Sequence, residues 1–337
     1  MKNSLFGMLL CLSLLSGTVT QAAQTIPPSP LEGYIDNRST PELLMVSFVN
    51  AINRKEYLRA FSYWDLPGGQ RPAQLAPYPD FARGYQNTQS VQLTIGLVTS
   101  DAGAGQFHYY VPITFQVLSI DGSSQTFVGC YLILLSSPGA QAQAPFRPMG
   151  ITAANVKQVS SGIDPISLMS QACGNQGMNP PPTSTQLPTP IPSASDPSVY
   201  RDDRSGPVEV LTSLFNAINR HEYLRAYSYW EPNSPQLPSL EQFQQGYQNT
   251  ENIQLIAGTP VQDVGAGQFY FTVPAAVTAT NNGAPQTFIG CYHLHLANPL
   301  IQDTPPYQPL GISSGALTKV ANDANAAALM TTACGRG

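Results

Sequence analysis

The chain has 337 residues, 42% of them hydrophobic, so it can fill two or three ordinary cores and is not disordered as a whole. Only 10% are charged and the formal charge is −5, well below the charged share of about 25% in an average soluble domain. Lys and Arg are scattered rather than clustered, which argues against nucleic acid as a partner.

Residues 1–23 have the three-part form of a secretory signal. Lys2 is followed by an apolar run from Leu5 to Leu15, and the small residues Thr20, Ala22 and Ala23 offer a cleavage point. Cys11 lies inside that run and leaves with it. No later stretch approaches the roughly 20 apolar residues of a membrane helix. The expectation is an exported protein, secreted or periplasmic, with no membrane span.

Residues 24–38 read as a flexible tail, and 39–174 as a first domain. Leu44, Phe48 and Ile52 recur at helical spacing. Asn53, Arg54 and Lys55 break that helix. Tyr57, Phe61 and Trp64 mark the stripe of a second, short one, and Phe81 to Tyr85 a third turn. From Val91 the pattern changes to β-branched and aromatic runs at 91–99, 105–119, 125–135 and about 147–160. The segment from Asp101 to Gly105 and the pair Asp121-Gly122 are hairpin turns, because glycine reaches positive φ without a Cβ clash. Pro112, like Pro274 later, cannot donate to a ladder, which predicts an edge or a bulge there.

Residues 175–205, with Pro180, Pro181, Pro182, Pro188, Pro190 and Pro192 among many Ser and Thr residues, read as a semi-stiff linker. Residues 206–337 then repeat the first domain. The segment Asn50 to Trp64 returns almost unchanged as Asn216 to Trp230. Gly84 to Thr88 returns as Gly246 to Thr250, Gly103 to Phe107 as Gly265 to Phe269, and Gln125 to Tyr131 as Gln286 to Tyr292. The predicted fold class is therefore α+β: two tandem copies of a helix-first domain with a curved antiparallel four-stranded sheet.

The opening Asn-Ala-Ile-Asn-Arg-x-Glu-Tyr-Leu-Arg-Ala-[Phe/Tyr]-Ser-Tyr-Trp and the later Phe-x-x-Gly-Tyr-Gln-Asn-Thr of each copy resemble the exported branch of the nuclear transport factor 2-like (SnoaL-like, cystatin-like) superfamily. The resemblance covers each copy nearly end to end. It implies a cone enclosed between helices and sheet, in a fold that hosts isomerases, cyclases, ligand carriers and silent modules alike. The acid/base residues of the enzymatic members have no counterparts that can be placed here.

Four cysteines remain after signal removal: Cys130, Cys173, Cys291 and Cys334. Three pairings are open. The two pairs are equally spaced and sit at matching positions of the repeats, which favours Cys130–Cys173 and Cys291–Cys334. Each such loop should stabilise its domain by about 4 kcal/mol in the chain-entropy account.

The aromatic set Tyr57, Phe61, Trp64 and Tyr85, matched by Tyr223, Tyr227, Trp230 and Tyr247, reads either as plain core or as the mouth of an apolar ligand pocket. His293 and His295 alternate on one strand and share a face with Cys291, but Leu132 and Leu134 replace them in the first copy and no third ligand is evident. Glu56 with Arg59, and Glu222 with Arg225, read as solvated ion pairs on the helix face away from the aromatics. Asp101 and Asp263 precede Gly-Ala-Gly, yet a strand follows rather than the helix of a phosphate loop. His108 and His221 each occur in one copy only. No catalytic residue, metal or cofactor is assigned. The leading expectation is a non-catalytic binding module for a small apolar ligand or a protein partner. The alternatives are an isomerase, cyclase or hydrolase using the cone, or a structural protein-interaction domain; the oligomeric state stays open.

Overall fold

A computed structural model of the chain describes residues 31–65, 72–160, 162–174 and 198–335. The signal expected at 1–23, residues 24–30 of the tail and 175–197 of the linker lie outside the described residues. The first repeat runs α1 (Pro41–Asn53), α2 (Tyr57–Ser62), α3 (Tyr78–Gly84), β1 (Thr88–Ile95), β2 (Thr99–Gly103), β3 (Gln106–Ser119), β4 (Ser124–Ser136), β5 (Gly150–Val159) and α4 (Pro165–Met169). The second runs α5 (Pro207–Asn219), α6 (Tyr223–Tyr227), α7 (Leu240–Tyr247), β6 (Thr250–Ala257), β7 (Val261–Gly265), β8 (Gln268–Asn281), β9 (Ala284–Ala297), β10 (Gly311–Val320) and α8 (Ala326–Met330).

Thr40 caps α1 by accepting a hydrogen bond from the Leu43 N–H, and proline occupies the first turn, where no intrahelical donor is needed. The helix stops as its sequence predicts: Lys55 turns the chain with φ +63°, and His221 does the same with φ +56°. Helix α1 lays Leu44, Phe48 and Ile52 on a sheet whose inner face carries Val111, Ile113, Phe115, Tyr131, Ile133 and Leu135. That alternation is the two-residue period of a half-buried strand.

Each sheet is antiparallel with order β1-β3-β4-β5 or its equivalent, and has five strands rather than four. The run expected at 91–99 divides into β1 and β2, which pair with opposite ends of the long β3. The β2–β3 turn is confined to Ala104 and Gly105, both at positive φ (51° and 74°), the geometry that matches strand twist in a two-residue hairpin. Of the two alternatives expected at Pro112, an edge or a bulge, the structure rules out the edge. Pro112 lies in the central strand β3, opposite the jog between β1 and β2, where its carbonyl accepts from the Gly96 N–H and no donor is required. Pro274 sits identically against Gly258.

The disulfides join Cys130 to Cys173 and Cys291 to Cys334. Each ties the short helix that ends its repeat onto the outer face of β4 or β9.

Residues 31–38 and 198–205, assigned by composition to tail and linker, are folded arms rather than spacers. The Arg38 N–H donates to the Asp202 carbonyl and the Arg204 N–H to the Asp36 carbonyl, both at 2.7 Å, around an antiparallel bridge between Asn37 and Asp203. Tyr200 of the second arm packs on the first core, and Leu31 of the first arm on the second. The polar backbone of these arms finds its partners in the other repeat, so composition alone understates their order.

Candidate functional site

The sequence brings eight aromatics forward as pocket candidates, and the structure separates them. Phe61 and Trp64 are buried in the first core. Trp64 stands 6.4 Å from the Tyr131 ring. Tyr57 stacks on Tyr85, with centroids 6.1 Å apart, and its hydroxyl donates to the Tyr85 carbonyl at 3.3 Å. Phe81 bridges Phe61 and Tyr85 edge-on. In the second repeat Trp230 and Tyr227 pack on the core, the Tyr227 hydroxyl donating to the Pro238 carbonyl at 2.9 Å. Tyr223 reaches the Tyr247 carbonyl.

Of the first-repeat set, Tyr85 alone lines the cleft that opens between α1, the end of α3 and the sheet. That cleft has a volume of about 850 Å³. Its walls are Phe48 and Ile52 from α1, Val91 from β1, Phe115 and Val117 from β3, and Phe127 and Tyr131 from β4. Asn87, Ser119, Asp121, Ser123 and Gln125 form a polar rim. An apolar concavity with a few convergent polar groups is the usual form of a small-molecule site.

Two phenols, Tyr85 and Tyr131, line the cleft together with the buried Thr88. Burial pushes the Tyr85 hydroxyl up to about 12. Burial, with the neighbouring Tyr85, pushes Tyr131 higher still. Both are therefore neutral near pH 7 and able to donate and accept. The second repeat carries the same pair, with Tyr292 raised by burial and by Tyr247. Asp121, at the exposed rim, is held below the usual carboxylate range by hydrogen bonds from Ser123. Tyr131 escaped the sequence reading because it follows Cys130 in a motif judged by its cysteine. The signal was present: alternation puts Tyr131 on the face opposite the disulfide.

Glu56 and Arg59 overturn the expectation of a solvated pair. Both are buried, at 2% and 0% exposure. Arg59 Nε donates to Glu56 Oε2 at 2.6 Å, Nη2 to Asn50 Oδ1 at 2.8 Å and Nη1 to the Ile35 carbonyl at 2.5 Å. The guanidinium lies 4.4 Å from the Tyr34 ring centroid. Burial acts to lower its pKa, but Tyr63, Tyr34 and Glu56 raise it, so it stays charged. Tyr63 completes the cluster by donating to Asp36 Oδ1 at 2.9 Å. Glu222, Arg225, Asn216, Tyr229 and Asp202 reproduce it in the second repeat. These groups bind the arms to the helices and do not open into the cleft. The helical period placed Glu56 and Arg59 away from the aromatics correctly; what covers that face is an arm whose Ile35 lies 24 residues before Arg59, which periodicity does not reveal.

The strand histidines stay on the outer face. His295 contacts Glu231 Oε1 and Gln268 Oε1, each at 2.6 Å, and stacks on Tyr270. His293 meets Thr272 at 3.3 Å. His108 and Tyr110 both bond Asp101, and His221 bonds Tyr223. Among the described residues no three or more His, Cys, Asp and Glu side chains are grouped to hold a metal ion, and no helix is long and apolar enough to cross a membrane.

No family model and no curated protein matches the chain. Among solved structures it is similar to a chain described as "Ntf2 like protein involved in plasmid conjugation", at 8% identity, covering 83% of this chain and 99% of that one. The TM-score is 0.18, too low for the match to carry an argument about either fold or function.

Proposed function

We propose that the protein is an exported, non-catalytic binding module whose first repeat holds a small, largely apolar molecule with one polar end. The observation that carries this reading is the Tyr85–Tyr131 pair: two neutral hydroxyls inside an apolar cleft of about 850 Å³. The walls contribute affinity in proportion to the apolar area they cover, and the hydroxyls fix the orientation of the polar end. Among the described lining residues the one carboxylate is Asp121 at the rim, which supports binding rather than acid/base chemistry. Two disulfides and the form of residues 1–23 support an oxidising, extracytoplasmic setting.

Native mass spectrometry of the oxidised protein, isolated from an extracytoplasmic fraction, tests the reading and reveals the mass of any retained ligand. Tyr131→Phe and Tyr85→Phe should each weaken binding by roughly 5- to 10-fold, the value of about 1 kcal/mol per hydrogen bond. Val117→Trp should fill the cleft and abolish binding with the fold retained by circular dichroism. Binding unchanged in Val117→Trp would refute this site.

A further inference from the structure

The contact between the two repeats is built as a near-exact two-fold exchange, with one deliberate-looking departure at its centre. Each residue of the first arm has its equivalent in the second: Asp36 and Asp202, Asn37 and Asp203, Arg38 and Arg204, Ser39 and Ser205. The reciprocal backbone bonds of Arg38 and Arg204 are accompanied by reciprocal side-chain bonds. Ser205 Oγ accepts from the Asp36 N–H, and Ser39 Oγ accepts from the Asp202 N–H, each at 2.9 Å. Both arms are also pinned to their own repeats alike. The Asn37 N–H donates to Ser47 Oγ and the Asp203 N–H to Ser213 Oγ. The guanidinium of Arg38 bonds the Met149 and Ser62 carbonyls; that of Arg204 bonds the Leu310 and Ser228 carbonyls. An interface of this kind is self-complementary, so either repeat presents a surface suited to a second copy of itself.

At the pseudo-dyad the symmetry fails. Asn37 Oδ1 is occupied by the Ser39 N–H and Asp203 Oδ1 by the Ser205 N–H. What remain facing each other are the Asn37 amide nitrogen and Asp203 Oδ2, 2.7 Å apart. In a pair of first repeats two amide nitrogens would face one another at this point. In a pair of second repeats two carboxylates would. A donor meets an acceptor in the mixed pair alone. A second difference bears on the first repeats alone: Tyr34 shares a hydrogen bond with Tyr307 of the other repeat at 3.0 Å, and Phe146, which has no hydroxyl, stands at the position of Tyr307 in the first repeat, so a pair of first repeats would lose this bond while a pair of second repeats could keep it through Tyr200.

We propose that the Asn37–Asp203 contact selects the partner: it makes the surface of each repeat accept the other repeat in preference to a second copy of itself. Specificity here comes from penalising the like pairs as much as from rewarding the mixed one. The chain thus carries its own heterodimer, and copies of it are kept from cross-linking through their repeats. Both disulfides lie within a repeat, so this contact can be tested once the chain between the repeats is cut.

The test uses the full, folded, oxidised protein with a protease site inserted between Ser193 and Ala194. After cleavage, isotope-labelled and unlabelled samples are mixed, and native mass spectrometry is read once like halves have scrambled between them. The expected result is a mixed one-to-one complex in at least about tenfold excess over either like pair. In Asp203→Asn every pairing presents two amides, and in Asn37→Asp every pairing presents two carboxylates. Each variant should therefore bring that excess down about tenfold. The exchange Asn37→Asp with Asp203→Asn should restore it with the polarity reversed. Random assortment of the unmodified halves, or an excess unchanged in Asp203→Asn, would overturn the proposal. Should the halves not scramble, the uncut chain decides: each single variant should lower the melting temperature and the double exchange should recover most of the loss. Failure to recover would equally overturn it.

Discussion

Arg59 shows how one residue can belong to several levels of structure. Its backbone sits in α2, its side chain neutralises Glu56, and two of its donors hold Asn50 and the carbonyl of Ile35 in the arm. A buried ion pair is weak evidence of net stabilisation, because desolvation offsets much of the attraction. Removing one partner is a different matter, since the other charge is left buried and alone. Arg59→Ala should therefore cost about 3–5 kcal/mol, measured by urea denaturation. Arg59→Met with Glu56→Leu should cost much less than the single change. A loss under 1 kcal/mol in Arg59→Ala would mean that the cluster is solvated in solution. Arg225 should behave alike, because its contacts to Glu222 and Asn216 are the same.

At the scale of elements, the strand pattern explains why the repeated Gly-Cys-Tyr is kept as a unit within this chain. Cys291 faces out to meet Cys334, and Tyr292 faces in towards Phe215. Gly290 lies where a Cβ would come within 1.8 Å of the Ala316 carbonyl oxygen. Three adjacent residues thus serve the outer face, the inner face and the neighbouring strand. The disulfides secure α4 and α8, each only five residues long, which would not persist as free helices. Replacing Cys130 and Cys173 together by Ala should lower stability by about 4 kcal/mol, and the Cys291, Cys334 pair by the same amount. Melting temperatures unchanged on both replacements would show that the closed loops constrain nothing.

At the scale of the whole molecule, the arms make one structure of two repeats. Buried carboxylates at Asp36 and Asp202 receive hydrogen bonds from Tyr63 and Tyr229, while their backbones bond across the contact. Either repeat therefore loses satisfied polar groups when the other unfolds. Heating should produce a single calorimetric transition, with calorimetric and van't Hoff enthalpies equal. Asp36→Ala with Asp202→Ala should split it into two. Two transitions in the unaltered protein would show that the repeats are thermodynamically separate.

Much of this was legible in the residues themselves. The duplication, the helix-first α+β order, the cysteine pairing and the helix stops at Lys55 and His221 follow from local chemistry: periodicity, turn residues and matched positions. Of the first-repeat aromatic candidates Tyr85 lines the cleft, while Phe61 and Trp64 fill the core. A stripe on one helix says which face is apolar and not how deep each ring goes. The burial of Arg59, the tolerance of Pro112 in a central strand and the exchange of arms were decided by tertiary structure alone. Each depends on a partner distant in the chain, whether a strand that jogs, an arm that covers a helix or a second repeat that supplies the missing hydrogen bonds. Local sequence encodes what a segment prefers; which of its groups finds a distant partner is settled when the whole chain packs.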